Sequence, residues 1–179
     1  MVKRDLLNSM DNQQQAGVRE YERIFGQATH DDQLLFEMLV IAVFQAGLSW
    51  KVAANKIPVF RQVFANFDHH QVAGFDEPEY EALLKNPAMI RNPRKIKAII
   101  INARAIIKLA PEFSSFADYL WHFTDNNIWQ MAVEPGTPLN QQSSLGTVVA
   151  KDMKKRGFTF VGPTTVQLLL LAAGIIKRV

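Results

Sequence analysis

The sequence predicts an all-α fold, and three observations carry that prediction. Nearly every patterned segment repeats its apolar residues at helical spacing, no stretch alternates apolar and polar residues as a half-buried strand does, and no unit recurs at a fixed period. The 179 residues are 48% hydrophobic and 21% charged, which excludes a disordered or fibrous chain. A chain of this length buries about 70% of its unfolded surface, enough for one domain over residues 1–179.

The elements follow in order. Thr29 with Asp32 forms an N-terminal capping pattern, and the next segment, Leu34 to Ala46, is apolar almost all round. Such a helix belongs at the centre of the core. Gly47 stops it. Ser49 caps a helix from Trp50 to Phe67 that Pro58 should kink, and shorter helices follow at Asp68 to Gly74 and Pro78 to Lys85. Asn92-Pro93 opens a helix whose stripe Ile96, Ile99, Ile100, Ala103, Ile106 and Ile107 faces inward, with Arg94, Lys97, Arg104 and Lys108 outside. Ser115 with Asp118 opens another, through Phe123. Residues 125–144 are polar, with Pro135, Gly136 and Pro138, and read as a long loop. A helix from Ser144 to Arg156 ends at Gly157, and Pro163 starts the last one, to about Ala173.

Composition narrows the function classes. The absence of cysteine excludes a disulfide scaffold, a thiol nucleophile and a cysteine-ligated metal. The start, MVKRDLLNSMDNQQQ, has no apolar core of signal-peptide type, and the most apolar tract, Leu168 to Ile176, is too short to span a bilayer. The expectation is a soluble, cytoplasmic protein with no membrane partner. Charge is unevenly divided. Residues 1–84 carry 7 basic and 12 acidic residues, whereas residues 85–179 carry 13 basic and 5 acidic ones. A cleft between an acidic N-terminal part and a basic C-terminal part is expected, the latter facing a polyanion. Solvated helix faces would produce the same split.

Two local elements suggest chemistry. The first, KDMKKRGFTFVGPTTVQLLLLAAG, is helix, short hairpin, helix. Glycine admits a phosphate close to the backbone, free amides and the helix dipole favour the anion, and Lys154, Lys155 and Arg156 add long-range attraction. This resembles a helix-hairpin-helix motif, at about residues 144–174, in which Gly162, Thr164 and Thr165 open the second helix. An ordinary helix connection with a glycine stop is the competing reading. The second element is FQAGLSWK, Phe44 to Lys51, where a tryptophan, an amide and a glycine turn together suit a planar base.

In one order, LFEMLV…QAGLSW, MIRNPRKIKAIIINARA, DYLWHF and KKRGFTFVGPTT resemble the DNA-3-methyladenine glycosylase I family over about Leu35 to Gly174. The resemblance implies a helix-hairpin-helix DNA glycosylase fold and hydrolytic removal of alkylated bases such as 3-methyladenine from double-stranded DNA, without a cofactor. It implies a base pocket with Trp50 as stacking wall, Gln45, Phe44 and Ser49 along its lining, and Tyr21 and Phe25 closing it. Phe25-Gly26 stands where the family has Trp-Gly, and Tyr21 is one residue off the family spacing. The family's pocket glutamate falls on Ala42, and Glu37 lies on another helical face. Glu20 or Glu22 could enter from the N-terminal segment instead. The zinc that ties the family's two ends has no cysteine ligands here, so no metal is expected.

No acidic residue follows Pro163 and no lysine is placed for a Schiff base, so no catalytic residue is assigned and lyase chemistry is not indicated. His30, His69, His70 and His122 read as surface or packing residues. Three functions compete: a monofunctional base-excision glycosylase, a non-catalytic DNA-binding or damage-sensing relative, and a scaffold that docks a protein on its basic face.

Overall fold

The computed structural model describes residues 2–179, side chains at 2, 3, 5–7 and 14 excepted. Met1 of the expected 1–179 unit lies outside them. Among the described residues the chain forms α1 (Val2–Ile24), α2 (Asp32–Gln45), α3 (Trp50–Ala54), α4 (Ile57–Val63), α5 (His69–Ala73), α6 (Glu77–Lys85), α7 (Pro93–Ile107), α8 (Phe116–His122), β1 (Trp129–Met131), α9 (Ser144–Lys155), α10 (Pro163–Ala172) and β2 (Ile176–Arg178). The fold is all-α, and two three-residue strands are its exception. They pair in parallel, Trp129 opposite Ile176 and Met131 opposite Arg178. Three residues are too few to show alternation, so nothing in the sequence announced them.

Helix α2 is the hub. Every residue from Leu35 to Phe44 is buried, and α3, α7, α8 and α10 pack around it. Its N-cap is Asp31, whose carboxylate accepts from the Leu34 amide at 3.0 Å, rather than the expected Thr29–Asp32 pair. Asp32 is used elsewhere: its carboxylate accepts from the amides of Phe116 (3.1 Å) and Ala117 (2.8 Å) at the start of α8. Asn92, Ser115 and Ser49 cap α7, α8 and α3 as their sequence positions suggest.

Two expectations are corrected. The helix expected from Trp50 to Phe67 is two helices, broken at Asn55–Lys56, because Pro58 sits in the first turn of α4, where a missing N–H costs nothing. Beyond α4, Ala65, Asn66 and Phe67 all take positive φ, which ends the helix. The second correction is α1, whose 23 residues were read only as an N-terminal segment. Its polar composition hides a narrow contact stripe through Gly17, Val18 and Tyr21. At Gly17 a Cβ would lie 2.4 Å from the Ala54 carbonyl oxygen, so only glycine lets α1 cross α3 this closely.

The end of α1 is tied to the end of α10. Gly26 and Thr29 donate their amides to the carbonyls of Ala172 (2.9 Å) and Ala173 (3.2 Å). Gly174 (φ 69°) lies against Ala28, where any Cβ would clash with backbone at 2.5 Å. This seam brings residues 21–29 beside α2, α3 and α10.

Candidate functional site

A depression with two lobes opens where α1, α2, α3 and α10 meet. The first lobe encloses about 250 Å³, and α1 contributes Tyr21, Glu22 and Phe25 to it. The second encloses about 330 Å³, with Ala42 and the turn Ala46-Gly47-Leu48 on one side and Asn140, Thr164 and Thr165 on the other. Gln45, Trp50, Leu139 and Leu168 line both lobes and divide them.

The wall of the first lobe is aromatic. The Tyr21 ring meets Phe25 edge-on at 5.5 Å and lies 6.1 Å from Trp50, tilted by 30°. Tyr21 is buried, while Trp50 and Phe25 are only half-buried and keep surface free for a ligand. Beneath Tyr21 lies Glu37, whose carboxyl burial pushes up to about 7 despite the counter-effect of Arg61. Arg61 engages Glu20 at 2.5 Å and stands 3.8 Å from Glu37. Glu37 Oε1 is buried without a hydrogen-bond partner. Burial, reinforced by the Glu37 charge, holds the Tyr21 hydroxyl well above the ordinary phenol range, so it is a proton donor.

The turn that carries Gln45 is held from α7. Lys95 is 5% exposed, and its ammonium donates to the carbonyls of Phe44 (2.8 Å) and Ala46 (2.5 Å). These are orphan carbonyls at the end of α2, so the lysine both satisfies them and suits the negative end of the helix.

Of the residues assigned to a base pocket, Trp50, Gln45, Tyr21 and Phe25 therefore surround one cavity, and two others do not. Phe44 is fully buried and stacks on Phe60 at 4.7 Å. One helical step of about 100° turns it from the cavity into the core. Ser49 is exposed, and its Oγ accepts from the Val52 amide at 3.3 Å as a cap. Glu22, one of two acids considered for the pocket, lines it; Glu20 pairs with Arg61 instead. Leu139 and Leu168 were missed. The signal for Leu139 is an exposed leucine in a polar loop, whereas Leu168 reads as ordinary core.

The hairpin stands beside the second lobe. Helices α9 and α10 pack together, and buried Gln167 accepts at Oε1 from the Ser143 hydroxyl (2.6 Å) and amide (3.2 Å). Asn102 of α7 holds the hairpin like a backbone neighbour, donating to the Thr159 carbonyl (3.0 Å) and accepting its amide (2.8 Å). Phe160 takes φ 58° at the turn, with the Arg94 guanidinium 5.7 Å from its ring. Gly162 is the N-cap of α10 and no side chain caps that helix. Among the described residues, no atom outside its chain neighbours lies within 4 Å of the place a Cβ would occupy, so the backbone there has room for a phosphate.

Lys154 and Lys155 are exposed and form no ion pair among the described residues. Arg156 is different. It pairs with Asp152 at 2.7 Å and Glu112 at 3.0 Å, and lies over the rings of Phe113 (5.2 Å) and Tyr119 (5.3 Å). Its donors are committed to Asp152 of α9 and to Glu112 in the loop between α7 and α8. Thr165 is buried against the second lobe, and the Thr164 hydroxyl accepts from Gln142 at 3.1 Å. Of the histidines, His69 is buried and the other three are exposed; His30 stacks on Trp121 at 4.5 Å and His122 lies 4.0 Å from Phe123.

A largely helical body with a helix-hairpin-helix beside an aromatic cavity is the architecture of the helix-hairpin-helix DNA glycosylases. Within that class the methyladenine glycosylase family model matches residues 11–178, and the chain belongs to that family. It is 34% identical to DNA-3-methyladenine glycosylase 1 of Escherichia coli (strain K12), over 88% of this chain and 84% of that protein. A solved 3-methyladenine DNA glycosylase I in complex with 3-methyladenine is 28% identical, with a TM-score of 0.80 over 86% of this chain and 82% of that one. The enzyme from Staphylococcus aureus is 26% identical, with a TM-score of 0.82 over 89% and 85% of the two chains.

The zinc that the resemblance implies does not fit this chain. The sequence has no cysteine, and among the described residues no three His, Asp or Glu side chains gather to hold a metal. Here the end of α1 is joined to the end of α10 through backbone hydrogen bonds, Gly26 to Ala172 and Thr29 to Ala173.

Proposed function

We propose that this protein hydrolyses the N-glycosidic bond of alkylated bases such as 3-methyladenine in double-stranded DNA, as a monofunctional glycosylase of base-excision repair. The observation that carries the reading is the aromatic cavity of Tyr21, Phe25 and Trp50, with the Gln45 amide on its edge, a few residues from an uncapped helix N-terminus at Gly162.

The chemistry suits what these groups supply. A base alkylated at N3 is cationic within the nucleoside, so its bond to C1′ is already weak. The hairpin backbone, with Lys154 and Lys155, grips the phosphates without reading sequence. The target nucleotide rotates out of the stack, and its base enters against Trp50. Leu48, 44% exposed on the rim, is an apolar wedge of the kind that fills the vacated stack. Tyr21 and the Gln45 amide offer hydrogen bonds to the base edge. The bond to C1′ then breaks with its electron pair leaving on the base, and water adds to C1′ and releases a proton to solvent. Among the described residues no lysine lines the cavity to form a Schiff base, which supports plain hydrolysis.

We place this activity in the cytoplasm; no described helix is long and apolar enough to cross a membrane. The test is incubation with methylated duplex DNA and chromatography of the released bases. Release of 3-methyladenine with an uncut abasic strand is expected. Salt-dependent duplex binding without release would instead make the chain a non-catalytic relative.

A further inference from the structure

The two lobes are lined by aromatic, aliphatic and uncharged polar groups with a single exception. Of the described residues that line either lobe, Glu22 alone carries a charge. It stands in the last turn of α1, which ends at Ile24, where the partial negative charge of a helix C-terminus opposes a carboxylate. Its neighbour Glu20, two residues back, turns to the opposite side and is neutralised by Arg61 at 2.5 Å. Glu37 is the other acid close by, and it lies buried rather than on the cavity surface. Among the described residues Glu22 accepts no hydrogen bond and forms no ion pair. A carboxylate set against its helix dipole, unpartnered and facing an aromatic cavity, is arranged for a cation that the protein does not itself provide.

We propose that Glu22 is the specificity-determining residue of the cavity, its carboxylate selecting positively charged, alkylated purines over neutral ones of the same shape. This rests on the glycosylase reading above and adds a residue to it. Aromatic faces alone favour a cation only modestly and accept every purine. The carboxylate supplies the discrimination, because an undamaged base stacked on Trp50 leaves it unpaired, whereas a cationic base satisfies it. Lys51, whose Nζ lies 5.7 Å from the Trp50 ring, occupies indole surface with a like charge, which makes a nearby anion the more necessary for a cationic ligand.

The experiment measures binding of two small probes by tryptophan fluorescence: 3,9-dimethyladeninium, a permanent cation that mimics the alkylated nucleoside, and neutral 9-methyladenine. Wild type should bind the cation at least tenfold more tightly. Glu22→Gln, which keeps size and removes charge at an exposed position, should abolish that preference and leave the neutral probe unchanged. Glu20→Gln should keep the preference; its loss in that variant would make the effect one of general charge and overturn the proposal. So would a preference that survives in Glu22→Gln, or a wild type that shows none. The same proteins are assayed for base release from methylated duplex. Release by wild type and undiminished release by Glu22→Gln sinks the role of Glu22 while leaving the glycosylase reading intact. No release by wild type sinks that reading, and the probe preference still decides whether Glu22 selects cations.

Discussion

Glu37 offers the sharpest test of the network beneath the cavity. Its carboxyl is pushed from 4.5 to about 7, chiefly by burial, with Arg61 acting in the opposite direction, and one of its oxygens has no partner. A native-state value above the unfolded one means that the folded protein binds the proton more tightly. The stabilisation from neutral Glu37 is therefore complete below about pH 4.5 and is lost as the pH rises through about 7. The difference corresponds to about 3 kcal/mol at most. Glu37→Gln holds the neutral state at every pH and keeps the shape. It should match wild type near pH 4.5 and exceed it by about 1–3 kcal/mol at pH 8, the lower figure allowing for the attraction to Arg61 that the substitution removes. For a chain of this length that is a rise in Tm of roughly 3–10 °C at pH 8. Urea or thermal unfolding of both proteins at the two pH values measures it. An equal difference at both values, or a variant less stable at pH 8, would show that Glu37 is ionised and well paired in the native protein.

The other predictions concern the site and the hairpin. Trp50→Ala should lower release of 3-methyladenine about 5- to 150-fold, as loss of about 1–3 kcal/mol of stacking implies, while the half-buried position keeps the loss of Tm small; normal excision by a folded variant would misplace the pocket. Lys154→Gln and Lys155→Gln should each flatten the log-salt slope of duplex binding by about 1, measured by titration at several salt concentrations. Arg156→Gln should leave that slope unchanged and lower Tm slightly, because its donors hold Asp152 and Glu112 rather than phosphate. Ala42→Glu should raise excision, since the Ala42 side chain faces a lobe of about 330 Å³ that has room for a carboxylate; a fall in activity with unchanged folding would show that lobe to be filled by the bound base.

Much of the scaffold was legible because local signals and packing agree. The all-round apolar run of α2, the stripe of α7 and the caps at Ser49, Asn92 and Ser115 each have one interpretation, and the structure adopts it. What escaped depends on partners remote in sequence. Helix α1 is held by α3 and α4 through Gly17 and Tyr21, so its own composition says little. In the site, Trp50 and Gln45 stood out because they belong to one compact block, whereas Leu168 looks like every other leucine of α10. Phe44 shows the limit of reading a block as a unit. It adjoins Gln45 in sequence, yet 100° of helix rotation places one in the core and the other on the cavity. Arg156 was assigned to DNA from a basic run. Asp152, four residues earlier, was a local warning, but Glu112 comes from 44 residues away and only the fold reveals it.

The division of charge along the chain then acquires a physical meaning. Residues 1–84, the acidic part, supply α1, α2 and α3, and with them Tyr21, Glu22, Gln45 and Trp50. Residues 85–179, the basic part, supply the hairpin, its two exposed lysines and Arg94. A DNA strand carrying a base alkylated to a cation presents both signs at once, negative along the phosphates and positive on the one base that must be removed. A uniformly basic protein would bind the strand and repel that base; a uniformly acidic one would attract the base and never reach it. On the proposed reading, joining a cavity that carries the Glu22 carboxylate to a hairpin with exposed lysines, across the seam at residues 26–29 and 172–174, would meet both demands and would disfavour undamaged bases, which carry no charge for that carboxylate to hold.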